Sequence, residues 1–234
     1  MIYVISDLHG YSHKKFLELL DKAGFSKDDF LFILGDVIDR QGDGGIETLQ
    51  WLLYQTNVQL LMGNHEAALI ACSFAIGEIN EEVVGAIDKE KMDALSRYSA
   101  DGGDVTMAAL HKLSLDARED ILDYLRECPL YETLEAGGRD FILVHAGLGN
   151  FDKSRRIEDY TPEDLLWNFP ELTDVYYEKV MTVFGHRPTF SFGEEYEGRI
   201  LRTRTWIDID TGAGYGREPV LLRLDDMAEF RLEF

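Results

Sequence analysis

The sequence is poor in cysteine, basic residues and long apolar runs, and each shortage removes a class of protein. Only two cysteines, Cys72 and Cys128, occur among 234 residues; they build no disulfide framework and neither has a partner at zinc-ligand spacing, so both read as packing residues. Neither opens the Cys-x5-Arg loop of a cysteine-dependent phosphatase, since Glu78 and Leu134 stand where the arginine would be. Lys and Arg number 23 against 44 Asp and Glu, giving a net charge of −21. That excludes a nucleic-acid partner, because phosphate backbones are held by cations. The longest apolar stretches, such as Phe30 to Leu34, fall far short of the roughly 18 residues that cross a bilayer, so no membrane partner is expected. The first apolar run, Ile2 to Ile5, has no basic segment before it and leads at once to Asp7; it reads as a strand rather than a secretion signal, and a cytoplasmic location follows.

What is present is enough apolar material to fold: 45% hydrophobic and 12% aromatic residues, unlike a disordered chain. The length suits a single domain over residues 1–234. Ile2–Ile5, Phe30–Leu34 and Val58–Met62 are each followed by a polar loop and then apolar residues at helical spacing: Phe16, Leu19 and Leu20; Ile46, Leu49 and Leu52; and a helix from about Glu66 to Phe74. Strand–helix alternation predicts a parallel sheet covered by helices. Residues 75–128 lack strand signals and read as a helical insertion, with Ser114 as an N-cap. Beyond Pro129, strands return: 130–135 and 140–144 joined by a Gly137-Gly138 hairpin, then 180–184, 206–209, 220–224 and 229–234. Thr161-Pro162-Glu163-Asp164 reads as a helix start. The expected fold class is α/β, two mixed sheets packed as a sandwich and flanked by helices.

Five apolar runs end in a residue able to bind metal: Asp7 with His9, Asp36, Asn64, His145 and His186. Ligands in open α/β sheets gather beyond the carboxyl ends of strands, so the five loops should converge on one edge. Asp7 and His9, two apart on an extended segment, project to the same side. Carboxylate, imidazole and amide together suit Mn, Fe or Zn better than Ca or Mg. Six ligands are too many for one open zinc and fit a pair of ions sharing a carboxylate. Divalent cations would also reverse the acidic field that otherwise repels any anionic substrate. Other motifs carry no chemistry in this reading. Asp208-Ile-Asp210 is taken as a strand end, Gly212 to Gly216 as a turn, and His13 and His111 as surface residues.

The series Asp7-Leu-His9, Gly35-Asp36-Val-Ile-Asp39-Arg40, Gly63-Asn64-His65-Glu66, His145-Ala-Gly147 and Gly185-His186 resembles the calcineurin-like metallophosphoesterases. Within them it resembles the phosphoprotein phosphatases of the bacterial and phage serine/threonine type. The resemblance implies two divalent metal ions, Mn²⁺ first and Fe or Zn as alternatives. Asp7, His9 and Asp36 would hold one, and Asp36, Asn64, His145 and His186 the other. It implies in-line attack by a hydroxide shared between the ions on a phosphomonoester, phosphoserine or phosphothreonine in a protein or a small phosphoester. His65 would protonate the leaving alkoxide, Asp39 would fix the His65 tautomer, and Arg40 and Asn64 would bind phosphate. Two alternatives stay open: a dinucleoside polyphosphate hydrolase, using similar ligands on nucleotides, and a non-catalytic metal-binding adaptor. The sequence departs from the family pattern at Gln41, where glycine is common, and at Phe169, where a second phosphate-binding arginine is usual. Arg155, Arg156 and Arg187 are the candidates to replace it, Arg187 being nearest in sequence to a ligand. Tyr215 is placed at the rim of the site.

Overall fold

The computed structural model describes residues 1–78 and 85–232. Strand β1 (Ile2–Ile5) lies parallel to β2 (Phe30–Ile33), and β2 lies parallel to β3 (Val58–Leu60). Strands β9 (Leu221–Arg223) and β10 (Ala228–Phe230) extend this sheet antiparallel beside β1, in the order β10-β9-β1-β2-β3. The second sheet runs β4-β5-β6-β8-β7. Its strands are β4 (Tyr131–Ala136), β5 (Arg139–Val144), β6 (Val180–Phe184), β7 (Leu201–Arg202) and β8 (Trp206–Asp208). Strands β5, β6 and β8 are mutually parallel.

Side chains alternate across a strand, and in the central strands β1, β2, β6 and β8 both faces are largely buried. Val4, Phe32, Leu34 and Leu222 meet Phe141, Leu143, Val183 and Ile207 between the sheets. The residues in between, Tyr3, Ile5, Leu31, Ile33 and Leu60, face the helices instead. These include α1 (His13–Lys22), α2 (Ile46–Leu52) and α3 (Asn64–Ala71). They also include α4 (Lys89–Tyr98), α5 (Asp104–Leu110) and α6 (Leu115–Arg126). On the far side of the second sheet, Val144, Phe184 and Trp206 pack on Leu148, Tyr160, Leu165 and Tyr176. Continuous apolar runs in β1 and β2 are thus the mark of strands covered twice.

The two-sheet architecture is as expected, and several boundaries are sharper. Gly137 and Gly138 turn the β4–β5 hairpin with φ of 55° and 74°, the conformation a tight two-residue turn requires. Ser114 caps α6 by accepting from Ala117 N, and Thr161 caps α7 (Pro162–Leu166) by accepting from Asp164 N. Between β3 and β4 the regular elements of the described residues are all helical; residues 79–84 of the expected insertion lie outside the described residues, as do the last two residues of the strand expected over 229–234. The third helix differs from expectation at both ends, spanning Asn64–Ala71 rather than about Glu66 to Phe74. Glu66 reaches back to Gly63 N (3.1 Å), satisfying an N-terminal donor and drawing Asn64 and His65 into the first turn. His13 is also not a plain surface residue. It is half-buried against Phe16 and Trp51, with Nδ1 3.2 Å from Thr48 Oγ1.

Candidate metal centre and active site

Both sheets deliver their parallel strand ends to one edge. Asp7 N donates to Gly35 O (3.1 Å), joining the β1 and β2 ends, and Gly185 N donates to His145 O (2.8 Å), joining those of β5 and β6. The sheets are stitched together by His186 N, which donates to Asp7 Oδ2 (2.9 Å), and by His145 Nδ1, 2.7 Å from Leu34 O. Glycine is required at two of these crossings. A Cβ at Gly185 would lie 2.0 Å from Asp7 Oδ2 and Ser6 Oγ, and one at Gly35 2.6 Å from Gly63 Cα.

The backbone here is strained in a consistent way. Asp7, His9, Asp36, Asp39, Arg40 and His186 all have positive φ, which side-chain-bearing residues seldom adopt. Each costs about 1–3 kcal/mol unless the surroundings hold it, and such residues concentrate at functional sites. Part of the hold comes from Glu66, fully buried, whose carboxylate accepts from Asp36 N (2.8 Å) and Val37 N (2.9 Å) as well as Gly63 N. Burial and the nearby Asp36 charge raise its pKa to about 7.

The expected ligands converge. Asp36 Oδ2 lies 3.6 Å from His9 Nε2, 3.5 Å from His145 Nε2 and 3.9 Å from His65 Nε2. His9 Nδ1 is 3.0 Å from Ile38 O, and His145 Nδ1 is held by Leu34 O in the same way. A carbonyl can only accept, so both rings carry their proton on Nδ1 and turn a bare Nε2 inward. Asn64 Oδ1 stands 2.8 Å from His145 Nε2 and 2.9 Å from His186 Nδ1. Two groups of side chains come close enough to share an ion: His9, Asp36 and His65, and Asp36, His145 and His186. Asp36 belongs to both. Asp7 Oδ1 is 4.0 Å from His9 Nε2 and is buried with no hydrogen-bond partner.

The donor set fits divalent ions. Burial lowers the pKa of His9 to about 3 and of His186 to about 3, leaving both neutral with lone pairs available. Burial and Asp210 push Asp7 well above the carboxylate range; Asp36 also feels burial, but the surrounding imidazoles take it below that range. Converging lone pairs and an unpartnered buried carboxylate oxygen are costly unless a cation shares them.

His65 and Asp39 form a buried dyad, Nδ1 to Oδ2 2.6 Å. Asp39 Oδ1 accepts from Tyr98 Oη (2.7 Å) and Thr106 Oγ1 (2.6 Å), both from the helical segment. Burial alone would lower the His65 pKa, but Asp36 and Asp39 raise it to about 9. Arg40 Nη2 lies 3.2 Å from His65 Nε2, and its guanidinium is 5.1 Å from the centre of the Tyr215 ring. From Asn64 and His65 a cleft of about 360 Å³ runs outward past Ala68, Ala94 and Tyr98, with Trp167 at its side.

The three arginines considered for the position opposite Arg40 are committed elsewhere. Arg187 donates to Pro170 O, Glu171 and Ser191, and stacks on Phe192. Arg155 is bonded to Asp164 and Asp159 O, and Arg156 pairs on the surface with Glu158 and Asp159. Phe169 instead lays its ring 4.9 Å from that of His186. Tyr98, Thr106 and Asp101 carry no motif in the sequence, and Asp208 and Asp210 are more than a strand end. Both aspartates are buried behind Asp7, and their spacing of two at the end of an apolar run was the available signal.

A sandwich whose strand ends gather carboxylates and imidazoles around one shared aspartate defines a metal-dependent hydrolase. The profile of the calcineurin-like phosphoesterases matches residues 1–211, and the chain belongs to that family. A symmetrical bis(5'-nucleosyl)-tetraphosphatase of Acidovorax sp. (strain JS42) is 27% identical over 148 residues, 63% of this chain and 44% of the relative. The chain thus spans less than half the length of such curated relatives. A putative diadenosine tetraphosphatase has the same fold, with TM-score 0.63 at 15% identity over 99% of this chain and 92% of that one. So has a protein serine/threonine phosphatase from Saccharomyces cerevisiae, with TM-score 0.56 at 16% identity over 94% of this chain and 71% of the other. No helix of the described residues is long and apolar enough to cross a membrane.

Proposed function

We propose that the chain is a metal-dependent hydrolase of nucleotide phosphoanhydrides, with dinucleoside polyphosphates as its substrate class. The observation that carries this is the cleft leading from Asn64 and His65. It is large enough for a nucleoside, and its alanine, Tyr98 and Trp167 walls suit a flat, partly apolar base. The likeness to symmetrical bis(5'-nucleosyl)-tetraphosphatases supports the same substrate class.

In this reading Asp7, His9, Asp36, Asn64, His145 and His186 would hold two divalent ions, Asp36 being common to both candidate groups. Mn²⁺ is the first choice, because three imidazoles and an amide sit among the carboxylates. When bound, the ions supply Lewis-acid neutralisation of the phosphoryl group and activate water. Arg40 grips a phosphate oxygen with its planar fork. Asp39 keeps the His65 ring oriented, and His65 holds a proton at Nε2 for the leaving oxygen.

That dyad also favours a second reading, hydrolysis of phosphomonoesters including phosphoserine and phosphothreonine. An alkoxide leaves poorly unless protonated, whereas a phosphate leaving group needs little help. Rates on diadenosine tetraphosphate, p-nitrophenyl phosphate and a phosphoseryl peptide, with Mn²⁺ supplied, test the two. The dinucleotide is expected to have the highest kcat/KM, and His65→Asn to slow it less than the peptide. Faster turnover of the peptide by the unaltered protein overturns the nucleotide reading.

A further inference from the structure

Between α4 and α5 the helix opens into one π turn, Ser99–Gly103, a distortion often found at functional sites. Gly102 has φ 97° inside it and packs directly on Arg40. Its carbonyl accepts from Arg40 N (3.1 Å), and an added Cβ would lie 2.9 Å from Arg40 Cγ. Turn and arginine are therefore locked together. The result is that Asp101 is delivered to the site. Its Oδ1 accepts from Arg40 Nη2 (3.1 Å), and its Oδ2 lies 3.4 Å from His65 Nε2.

The two donors that would receive a phosphoryl group thus face the two oxygens of one carboxylate. Asp101 is 54% exposed, whereas the side chains of Arg40 and His65 are 22% and 2% exposed. The carboxylate is the member able to swing into solvent. On the opposite side Phe169 stands where a second arginine was expected, and Arg187 is bound to Pro170 O. Each arriving phosphate therefore meets one guanidinium and one competing carboxylate.

Repulsion scales with the product of the charges. A terminal phosphate carries up to two negative charges, while an internal phosphate of a polyphosphate chain carries one. We propose that Asp101 is a specificity-determining residue: it occupies the phosphate seat on Arg40 and His65, and biases the site against doubly charged terminal phosphates. The choice of internal phosphates as the favoured class rests on the nucleotide reading above; the competition for the seat does not.

Inorganic phosphate is titrated calorimetrically into Mn²⁺-loaded protein and its Asp101→Asn and Asp101→Ser variants, at a pH where phosphate is a dianion. Both variants are expected to bind it about fivefold to tenfold more tightly. If Asp101 served only to orient Arg40, binding would weaken; equal or weaker binding overturns the proposal. Kinetically, Asp101→Asn is expected to raise the ratio of kcat/KM for p-nitrophenyl phosphate to that for diadenosine tetraphosphate about fivefold, mainly through KM of the monoester. An unchanged ratio overturns the charge bias. Absence of dinucleotide hydrolysis in the unaltered protein would defeat the nucleotide reading, and the phosphate titration would still decide whether Asp101 holds the seat.

Discussion

At the ends of β1, β2 and β3 the site is made of opposed charges and fixed donors, whereas at the ends of β5 and β6 it is made of imidazoles beside aromatic rings. The first half holds Asp36, the His65–Asp39 dyad and Arg40, tied down by Glu66, Tyr98 and Thr106. The second holds His145 and His186, with Phe169 and Trp167 beside the latter. In the proposed function, proton handling and anion binding would therefore concentrate on the first side, and the second would contribute imidazole ligands beside exposed aromatic rings.

Asp36 spans the two halves, so its loss should have the largest effect. Asp36→Asn is expected to lower kcat on the order of a thousandfold and to reduce bound metal, read by turnover and by metal analysis of the purified protein. Retained metal with near-normal turnover would remove Asp36 from the shared position.

The asymmetry itself is tested by two arginines. Arg40→Ala is expected to cost about a hundredfold in kcat/KM, against about threefold or less for Arg187→Ala. The reverse order would move the phosphate grip to the aromatic half.

A smaller effect tests how the segment bearing Trp167 and Phe169 is anchored. Asp164 accepts from Asn150 Nδ2 (2.7 Å), Arg155 Nη2 (2.8 Å) and Thr161 N (3.1 Å). Burial works to raise its pKa, but these hydrogen bonds outweigh it and hold the carboxyl well below the usual range. A pKa depressed on folding stabilises the protein above the unfolded value of about 3.9, and that contribution is lost as pH falls through the folded value. Asp164→Asn should therefore cost about 2 kcal/mol near pH 7, with the gap closing below about pH 4, as measured by urea unfolding. A gap independent of pH would show that the charge is not what matters.

Much of this was legible in the sequence because it is local. A strand covered on both faces must be a largely apolar run, and a candidate ligand then stands just past its end; Asp7, Asp36, His145 and His186 lie one to three residues beyond β1, β2, β5 and β6. The Ser114 and Thr161 caps are local as well. Asn64 and His65 were assigned to a loop because the helix start there depends on Glu66 bonding back to Gly63. Tyr98 and Thr106 could not be linked to Asp39 from sequence, since 59 and 67 residues separate them and only helix packing joins them.

The five apolar runs by themselves pointed to a site for divalent metals with mixed nitrogen and oxygen donors, because strand period and donor chemistry are properties of short segments; the hydrolase reading came from the motif resemblance. Only the tertiary structure decided which charges meet. It bound Arg187 to Pro170, left Phe169 beside His186, and set Asp101 against Arg40 and His65. Coulomb interactions fall with distance in space rather than along the chain, so the meeting of Asp101 with Arg40 and His65 depends on the helical segment packing onto the strand ends.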